Sequence, residues 1–248
     1  MLEEMINCFA NYKKTCSITN VRSGYVTFAR DGSYLKYLYL TDKMKDVWVI
    51  VPWDISTPSS STGNIKYYHS KYPEYEFTLF HNEINKMKTN IPTTIGQNCN
   101  IHPTVITDIE GIKLVYSPEG KKIQFKHTGG VEIGNDVSIA PYTVVHRGTM
   151  ENTVIGNRCV IGALNNIGHN CIIGKDNTIV SSVNFNGGVK TGKNCWFGSG
   201  AIIKTHLTIC DNVVVGMGAV VTKDIIKSGI YIGNPARYLK PMEKGWNF

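Results

Sequence analysis

The stretch that decides the fold covers residues 161–174 and reads IGALNNIGHNCIIG. Three of its isoleucines, Ile161, Ile167 and Ile173, stand six residues apart. This spacing matches neither the period of an α-helix, about 3.6 residues, nor that of a β-strand, about two. A six-residue repeat of aliphatic residues is typical of a parallel β-helix, in which each unit adds one short strand with its aliphatic side chain in the core. The same stretch contains His169, a residue that the repeat itself does not require.

The repeat extends far beyond this stretch. Its core positions are Ile95, Ile101, Ile133, Ile139, Val145, Ile155, Ile161, Ile167, Ile173, Ile179, Phe185, Thr191, Phe197, Ile203, Ile209, Val215 and Val221. Only Thr191 is not apolar, and four extra residues within 149–154 interrupt the period. Glycine often follows the core position, where its missing Cβ atom avoids a clash in a tight turn. We therefore predict a parallel β-helix over the second half of the chain.

The length of 248 residues allows one large and one small domain. We predict a mainly β protein made of a small α/β domain, a β-helix with an inserted loop, and a closing segment. These parts are, in that order, residues 1–90, 91–226 with the loop at 107–130, and 227–248.

In the first domain the residue pattern predicts strands within 25–40 and 47–53 and a helix at 82–88. Loops that leave a regular solenoid commonly build its binding face. The inserted loop 107–130 and the extra residues within 149–154 are therefore candidate site segments.

Composition and charge exclude several classes of protein. The net charge is +7, and the Lys and Arg residues are scattered, so nucleic acid is not an expected partner, whereas anionic small molecules are. No apolar run approaches the roughly 20 residues of a membrane helix, so membrane insertion is not expected. Glu3 and Glu4 stand too early for a signal peptide, which predicts a cytoplasmic location.

The seven cysteines contain no C-x-x-C pair, which predicts free thiols and argues against a zinc or redox motif. Cys99, Cys159, Cys171 and Cys195 occupy the fifth position of a six-residue unit, so we expect small core side chains there. No two histidines form the His-x4-His pair that a γ-type carbonic anhydrase on such a solenoid needs. No metal is expected.

Four stretches resemble the UDP-3-O-acylglucosamine N-acyltransferases of lipid A synthesis, which are hexapeptide-repeat enzymes with a left-handed β-helix. The stretches are YVTFARDGSYLKYL (25–38), DIEGIKLVYSPEGKKIQFKHTGGVEIG (108–134), VHRGTMENTVIG (145–156) and NIGHNCIIG (166–174). The resemblance implies three hexads per triangular coil, so that residues 18 apart stack on neighbouring coils. It also implies a homotrimer with sites between protomers.

The resemblance assigns catalytic roles to histidines. His169 matches the general base, and His206 matches a second histidine near the acyl donor and the oxyanion. The spacing of 37 residues, two coils plus one, puts both on one edge of the prism. His146 replaces an aspartate of the related motif, and coil counting makes it a neighbour of His169. We expect His146 or Asn166 to hold the ring of His169, because Gly162 and Ala163 replace the family's Asp-Asn pair.

The resemblance also implies binding residues. Phe28 and Tyr34 match the two aromatic residues that hold the uracil ring, with Asp31 between them, and Asn166 and Asn170 are candidate substrate contacts. For coenzyme A the candidates are Lys204, Lys223, Arg237 and Gly216.

The chemistry these residues suit is attack of a neutral amine on a thioester. A histidine that titrates near neutral pH can take the proton of the amine, and an N–H donor can stabilise the developing oxyanion. The changed acceptor side and the short segment after NPARYLKP favour transfer of acetyl from acetyl-CoA to the amine of a UDP- or dTDP-linked amino sugar. One alternative is acylation by acyl carrier protein of UDP-3-O-acylglucosamine, as in lipid A synthesis. The non-enzymatic alternative is a sugar-binding or scaffold solenoid.

Overall fold

The computed structural model describes residues 8–9, 12, 14–35, 46–57, 65–88 and 91–242. The chain forms two compact units. The first unit comprises residues 1–89 and 112–126, and the second comprises residues 90–111 and 127–248. Residues 112–126, from within the inserted loop, therefore group with the first unit.

The first unit contains a three-stranded parallel sheet with the order Val26–Phe28, Val47–Pro52, Ile65–Ser70. Its other elements are the α-helix Pro73–Ile84, the 3-10 helices Ile18–Asn20 and Gly32–Leu35, and the hairpin of Leu114–Tyr116 with Lys122–Gln124. The predicted strand at 47–53 is confirmed. The predicted strand within 25–40 ends at Phe28 because Gly32 opens a 3-10 turn, and residues 36–40 lie outside the described part.

The helix prediction at 82–88 was wrong in its bounds, because the helix begins at Pro73 and ends at Ile84. Proline is favoured in the first helical turn, where its missing N–H is not needed, and Glu74 favours the same end through the helix dipole. Phe77 and Phe80, three residues apart, bury one face. Within the described ranges no helix has the length and apolar character to cross a membrane.

The second unit is a parallel β-solenoid with three faces, which confirms the predicted β-helix. The first face consists of Val144–Val145, Asn166–Ile167, Asn184–Phe185, Ile202–Ile203 and Val220–Val221. The second face consists of Thr93–Ile95, Val131–Ile133, Thr153–Ile155, Ile172–Ile173, Lys190–Thr191 and Thr208–Ile209. The third face consists of Asn100–Ile101, Ser138–Ile139, Val160–Ile161, Thr178–Ile179, Trp196–Phe197, Val213–Val215 and Gly229–Ile232, with Arg237–Lys240 added antiparallel.

The strand register confirms stacking at intervals of 18 residues, as in the pair of Ile155 with Ile173. Ile133 pairs with Ile155 instead, because the four extra residues lengthen that coil to 22 residues without shifting the strands. The insertion is therefore absorbed at a corner and leaves the core unchanged.

The corners explain the glycine pattern. The left-handed conformation is adopted by the residue three places after the core position, as in Arg158, Leu164 and Asn170, whose φ angles are 57°, 59° and 59°. The glycine directly after the core position serves close packing of coils, since a Cβ atom on Gly156 would lie 2.6 Å from the amide nitrogen of Lys175. The requirement for glycine thus comes from the next coil, and most left-handed positions are not glycine.

Thr191, the exception to the apolar pattern, has a buried partner. The Asn177 side-chain amide donates to its hydroxyl oxygen at 2.9 Å, and that oxygen also accepts from the amide of Gly174 at 3.0 Å. Asn177 is fully buried, and its carbonyl oxygen accepts from the amide of Cys195 at 2.6 Å. Both polar side chains are satisfied, so the core tolerates them.

The core cysteines are free, as predicted, and Cys159, Cys171 and Cys195 are fully buried, whereas Cys99 is half-buried. The Cys159 thiol donates to the carbonyl oxygen of Gly174 at 3.1 Å. Burial raises the pKa of Cys159 to about 11 and the pKa values of Cys171 and Cys195 to about 12. A buried thiol with a raised pKa is unreactive, since the thiolate is the nucleophile.

We expect alkylation of the native protein at pH 8 to label Cys8 and to spare Cys159, Cys171 and Cys195, as measured by peptide mass spectrometry. In denaturant all seven cysteines should react, which serves as the control. Labelling of Cys171 in the native protein at the rate of Cys8 would contradict the burial of this thiol in the core.

Candidate functional site

The edge between the first and second faces of the solenoid contains the two candidate catalytic histidines. The amide of Gly188 donates to the carbonyl oxygen of His169 at 2.8 Å, and the amide of His206 donates to that of Gly187 at 3.0 Å. His169 and His206 therefore lie on one edge, two coils apart, as their spacing predicts. The coil between them passes this point as Gly187 and Gly188, and the two imidazoles pack against it, because a Cβ atom on Gly187 would clash with His169 and one on Gly188 would clash with His206.

The ring of His169 lies half-buried between two backbones. A Cβ atom on Gly187 would lie 2.6 Å from Nε2 of His169, and a Cβ atom on Gly111 would lie 2.6 Å from Cδ2. Gly111 belongs to the first part of the inserted loop. Both glycines are thus required by close approach to the imidazole, which occupies a narrow slot.

Asn170 fixes the protonation pattern of His169. Nδ1 of His169 lies 3.0 Å from Oδ1 of Asn170. That oxygen also accepts from the amide and the hydroxyl of Thr149, at 3.0 and 2.9 Å, while Nδ2 of Asn170 donates to the carbonyl oxygen of Glu151 at 3.0 Å. These partners fix which side-chain atom of Asn170 is the oxygen, so Nδ1 of His169 must be the donor and Nε2 is the basic nitrogen.

The expectation that His146 or Asn166 holds the ring of His169 was therefore wrong. Nε2 of His146 pairs with Oδ1 of Asn166 at 2.9 Å, and Nδ1 of His146 lies 3.2 Å from the carbonyl oxygen of Glu110. Asn166 donates in turn to Asn184 at 2.9 Å. Coil counting places His146 at the correct corner, but the four extra residues bring Thr149 and Glu151 onto Asn170.

Three residues that the sequence analysis did not select surround this site. His127 is fully buried, and its ring meets that of His169 edge-on, with centroids 5.3 Å apart and an interplanar angle of 83°. Nδ1 of His127 lies 3.8 Å from the carboxylate of Glu110, which pairs with Arg147 at 2.6 Å. All three lie in the stretches 108–134 and 145–156, so the signal was their place in those motifs.

The candidate coenzyme A residues lie at more than one place on the solenoid. Lys204 and Lys223 lie exposed on the edge of His169, because Val220 and Val221 stack on Ile202 and Ile203.

Arg237 and Lys223 line a cavity of about 270 Å³ together with Asp224, Tyr231 and Tyr238. Gly216 follows the third face and packs against Ile232, so it lies at another corner.

In the first unit, Phe28 ends a strand and packs on Phe77, with ring centroids 4.8 Å apart. Tyr34 is half-buried in the following 3-10 helix. The exposed Asp31 accepts from the hydroxyl and the amide of Ser33, and these bonds hold the pKa of Asp31 below its ordinary value. The three predicted nucleotide contacts therefore belong to one strand-to-turn segment.

Among the described residues, no group of three or more His, Cys, Asp and Glu side chains is arranged to hold a metal ion.

The family model and the curated relatives that this chain matches are named as transferases. Residues 188–223 match the family described as bacterial transferase hexapeptide (six repeats). Among curated relatives, the UDP-3-O-acylglucosamine N-acyltransferase of Herminiimonas arsenicoxydans is 35% identical over 140 residues, which cover 56% of this chain and 40% of the relative. The enzyme of the same name from Bordetella avium (strain 197N) is 40% identical over 105 residues, covering 42% and 29%. The chain thus spans less than half the length of these curated relatives.

The solenoid also resembles solved structures. The UDP-N-acetylglucosamine O-acyltransferase of Moraxella catarrhalis RH4 matches with a TM-score of 0.55 and 25% identity, over 62% of this chain and 58% of that one. LpxA from Acinetobacter baumannii matches with a TM-score of 0.50 and 23% identity, over 59% and 62%. The second match supports the fold alone.

We expect Asn170→Ala to lower the rate of any reaction that uses His169 as a base by about 10- to 100-fold, because both the tautomer and the ring orientation are lost. The measurement is kcat with saturating substrates. Asn194→Ala is the matched control, because Asn194 has the same left-handed conformation (φ 54°) at another corner. Equal kcat values for the two variants would contradict the role assigned to Asn170.

Proposed function

We propose that this chain, a hexapeptide-repeat homologue of enzymes named UDP-3-O-acylglucosamine N-acyltransferase, transfers an acyl group from a thioester to the amine of a nucleotide-linked amino sugar. The observation that carries the proposal is the pair of His169 and Asn170. Their hydrogen bond leaves Nε2 as the basic nitrogen, directed at the bare backbone of Gly187. A histidine in this state suits removal of a proton from an attacking amine.

The reaction moves one proton from the amine to the leaving thiolate by way of Nε2 of His169. The neutral sugar amine attacks the thioester carbonyl, a C–N bond forms, and His169 takes the proton that the nitrogen must lose. When the C–S bond breaks, the imidazolium returns the proton to the leaving thiolate. The hydrogen bond from Nδ1 to Asn170 keeps the ring in the same orientation through both steps.

The carbonyl oxygen becomes negative during attack and needs an N–H donor. The imidazoles of His169 and His206 pack against Gly187 and Gly188 on neighbouring turns of the same edge, so the thioester is placed beside these two rings. In this arrangement the imidazole of His206 is the candidate donor, since the amide of Gly188 already donates to the carbonyl oxygen of His169.

The donor follows the same edge of the solenoid. Lys204 and Lys223 lie further along it, and Lys223 shares a cavity with Arg237, so phosphate groups of a carrier have cationic partners there. Acetyl-CoA and an acylated carrier protein both carry a phosphopantetheine arm. The names of the curated relatives favour UDP-3-O-acylglucosamine as acceptor, and thus the lipid A type of reaction, over acetyl transfer. The replacement of the Asp-Asn pair by Gly162 and Ala163 favours a different acceptor.

The nucleotide is assigned to the first unit, where Phe28 and Tyr34 offer aromatic surfaces and Asp31 a hydrogen-bond acceptor. The proposal includes assembly as a homotrimer in the cytoplasm, since a solenoid prism offers flat faces for association.

A screen of donors against acceptors tests the function. Purified protein is mixed with acetyl-CoA or a long-chain acyl carrier protein, and with UDP-3-O-acylglucosamine or a panel of UDP- and dTDP-amino sugars. Mass spectrometry then follows the mass gain of each acceptor. Acylation of any nucleotide amino sugar supports the class of reaction, and the productive pair decides between the two donors. Absence of acyl transfer and of thiol release with every pair would overturn the proposal in favour of a non-catalytic solenoid.

We expect His169→Ala to lower kcat by about 10²- to 10⁴-fold with little change in KM, because a general base acts mainly in the transition state. The control is His102→Ala, since His102 is an exposed histidine that follows a third-face strand. If His169→Ala keeps more than about a tenth of the wild-type kcat while chemistry is rate-limiting, the base is another residue.

We expect Phe28→Ala and Tyr34→Ala to raise the KM of the nucleotide sugar and to leave the KM of the donor unchanged. Loss of base stacking costs about 1–3 kcal/mol, a factor of about 5 to 150 in affinity. Tyr116→Ala, which removes an exposed aromatic side chain of the hairpin, is the control. Unchanged acceptor KM values in both variants would rule out this nucleotide site.

A further inference from the structure

We propose that His127, a buried residue outside the base–amide pair, positions the imidazole of His169 and thereby sets the rate of acyl transfer. The expected change in rate rests on the proposed function of His169, whereas the contact between the two rings does not. His127 meets the His169 ring edge-on at 5.3 Å between centroids and is itself fully buried.

The slot around His169 is closed on several sides. The backbones of Gly111 and Gly187 approach the ring so closely that a Cβ atom on either would lie 2.6 Å from a ring atom. The bond from Nδ1 to Asn170 fixes one end of the ring. The hydrogen bond at Nδ1 does not by itself prevent the ring from tilting, and an edge-on ring contact opposes that tilt. His127 therefore adds to the orientation that Asn170 gives the ring.

An ion pair lies beside His127. The carboxylate of Glu110 lies 3.8 Å from Nδ1 of His127 and pairs with Nη2 of Arg147 at 2.6 Å. Nη1 of Arg147 donates to the carbonyl oxygen of Asp108 at 3.1 Å. The charges of Glu110 and Arg147 balance each other, and only 11% of the Arg147 side chain is exposed. This ion pair joins the loop before Gly111 to the corner after Val145.

The arrangement places His127 outside the reacting atoms. It contacts the ring of His169, which is the proposed base, so it acts as a positioning residue. A change of position at a general base affects the transition state, since a displacement of about 1 Å can cost up to about 100-fold in rate. Substrate binding elsewhere on the edge should be unaffected. The signature of this role is a fall in kcat with both KM values unchanged.

The test compares three variants of the full chain. His127→Ala removes the ring, His127→Phe keeps a planar ring of similar size without the nitrogens, and Phe197→Leu is the control. Phe197 is equally buried and also forms an edge-on pair, with Phe185 at 4.8 Å, but it lies on the third face. The measurements are kcat, both KM values, the thermal midpoint, and the ¹⁵N shifts of the His169 ring nitrogens in the free protein, assigned with His169→Gln.

We expect His127→Ala to lower kcat at least about fivefold, with KM values within about threefold of wild type, and to change the two nitrogen shifts of His169, because a tilted ring weakens the bond from Nδ1 to Asn170. His127→Phe should recover kcat to within about threefold of wild type and restore the wild-type nitrogen shifts. Phe197→Leu should lower the thermal midpoint and leave kcat and the shifts unchanged.

A smaller fall in kcat for His127→Ala, with unaltered shifts, would overturn the proposal. If His127→Ala does not fold, His127→Phe decides alone, because a folded His127→Phe protein with a larger loss of kcat and altered shifts excludes a role through ring contact. If the wild-type protein turns over no substrate, the proposed function fails, while the nitrogen shifts still decide whether His127 orients His169.

Discussion

Backbone hydrogen bonds between successive coils are the interaction on which the rest of the solenoid depends. The bonds between neighbouring coils keep residues 18 positions apart in register along the faces, as in Ile161 with Ile179 and Ile179 with Phe197. Since each strand is only two or three residues long over most of the solenoid, a strand is not stable alone, and its ordering comes from the coils on either side. The aliphatic core and the burial of the cysteines before the strands follow from this register.

The same register makes the edges of the solenoid stiff. Most corners pass through a left-handed residue, and neighbouring coils hold the corner backbone, as the amide of His206 is held by the carbonyl of Gly187 in the preceding coil. A side chain displayed from such a corner starts from a fixed backbone, which reduces the entropy lost when it aligns with a substrate. His169 and His206 are displayed in this way on either side of a pair of glycines.

Departures from the repeat surround His169. The extra residues within 149–154 supply the partners of Asn170, and the segment ending at Gly111 covers one side of the imidazole ring. Glu110 and Arg147 connect these two departures through one ion pair. The repeat supplies a rigid edge, and the insertions supply the specific contacts that convert one histidine on that edge into an oriented base.

The sequence by itself determined the architecture. A six-residue period survives local variation such as Thr191, and it predicts the stacked strands and the inward cysteines, while the three faces and the common edge of His169 and His206 follow from the family resemblance. The resemblance of four motifs also indicated the class of homologues that the comparisons found. Only the tertiary structure decided which residues contact His169. Asn170 and His127 do so, and Thr149 holds Asn170, because of the left-handed corner at Asn170 and the path of two insertions, neither of which follows from the repeat. For the same reason the buried partner of Thr191 became clear only in the folded chain, since Asn177 stands 14 residues before it in the sequence.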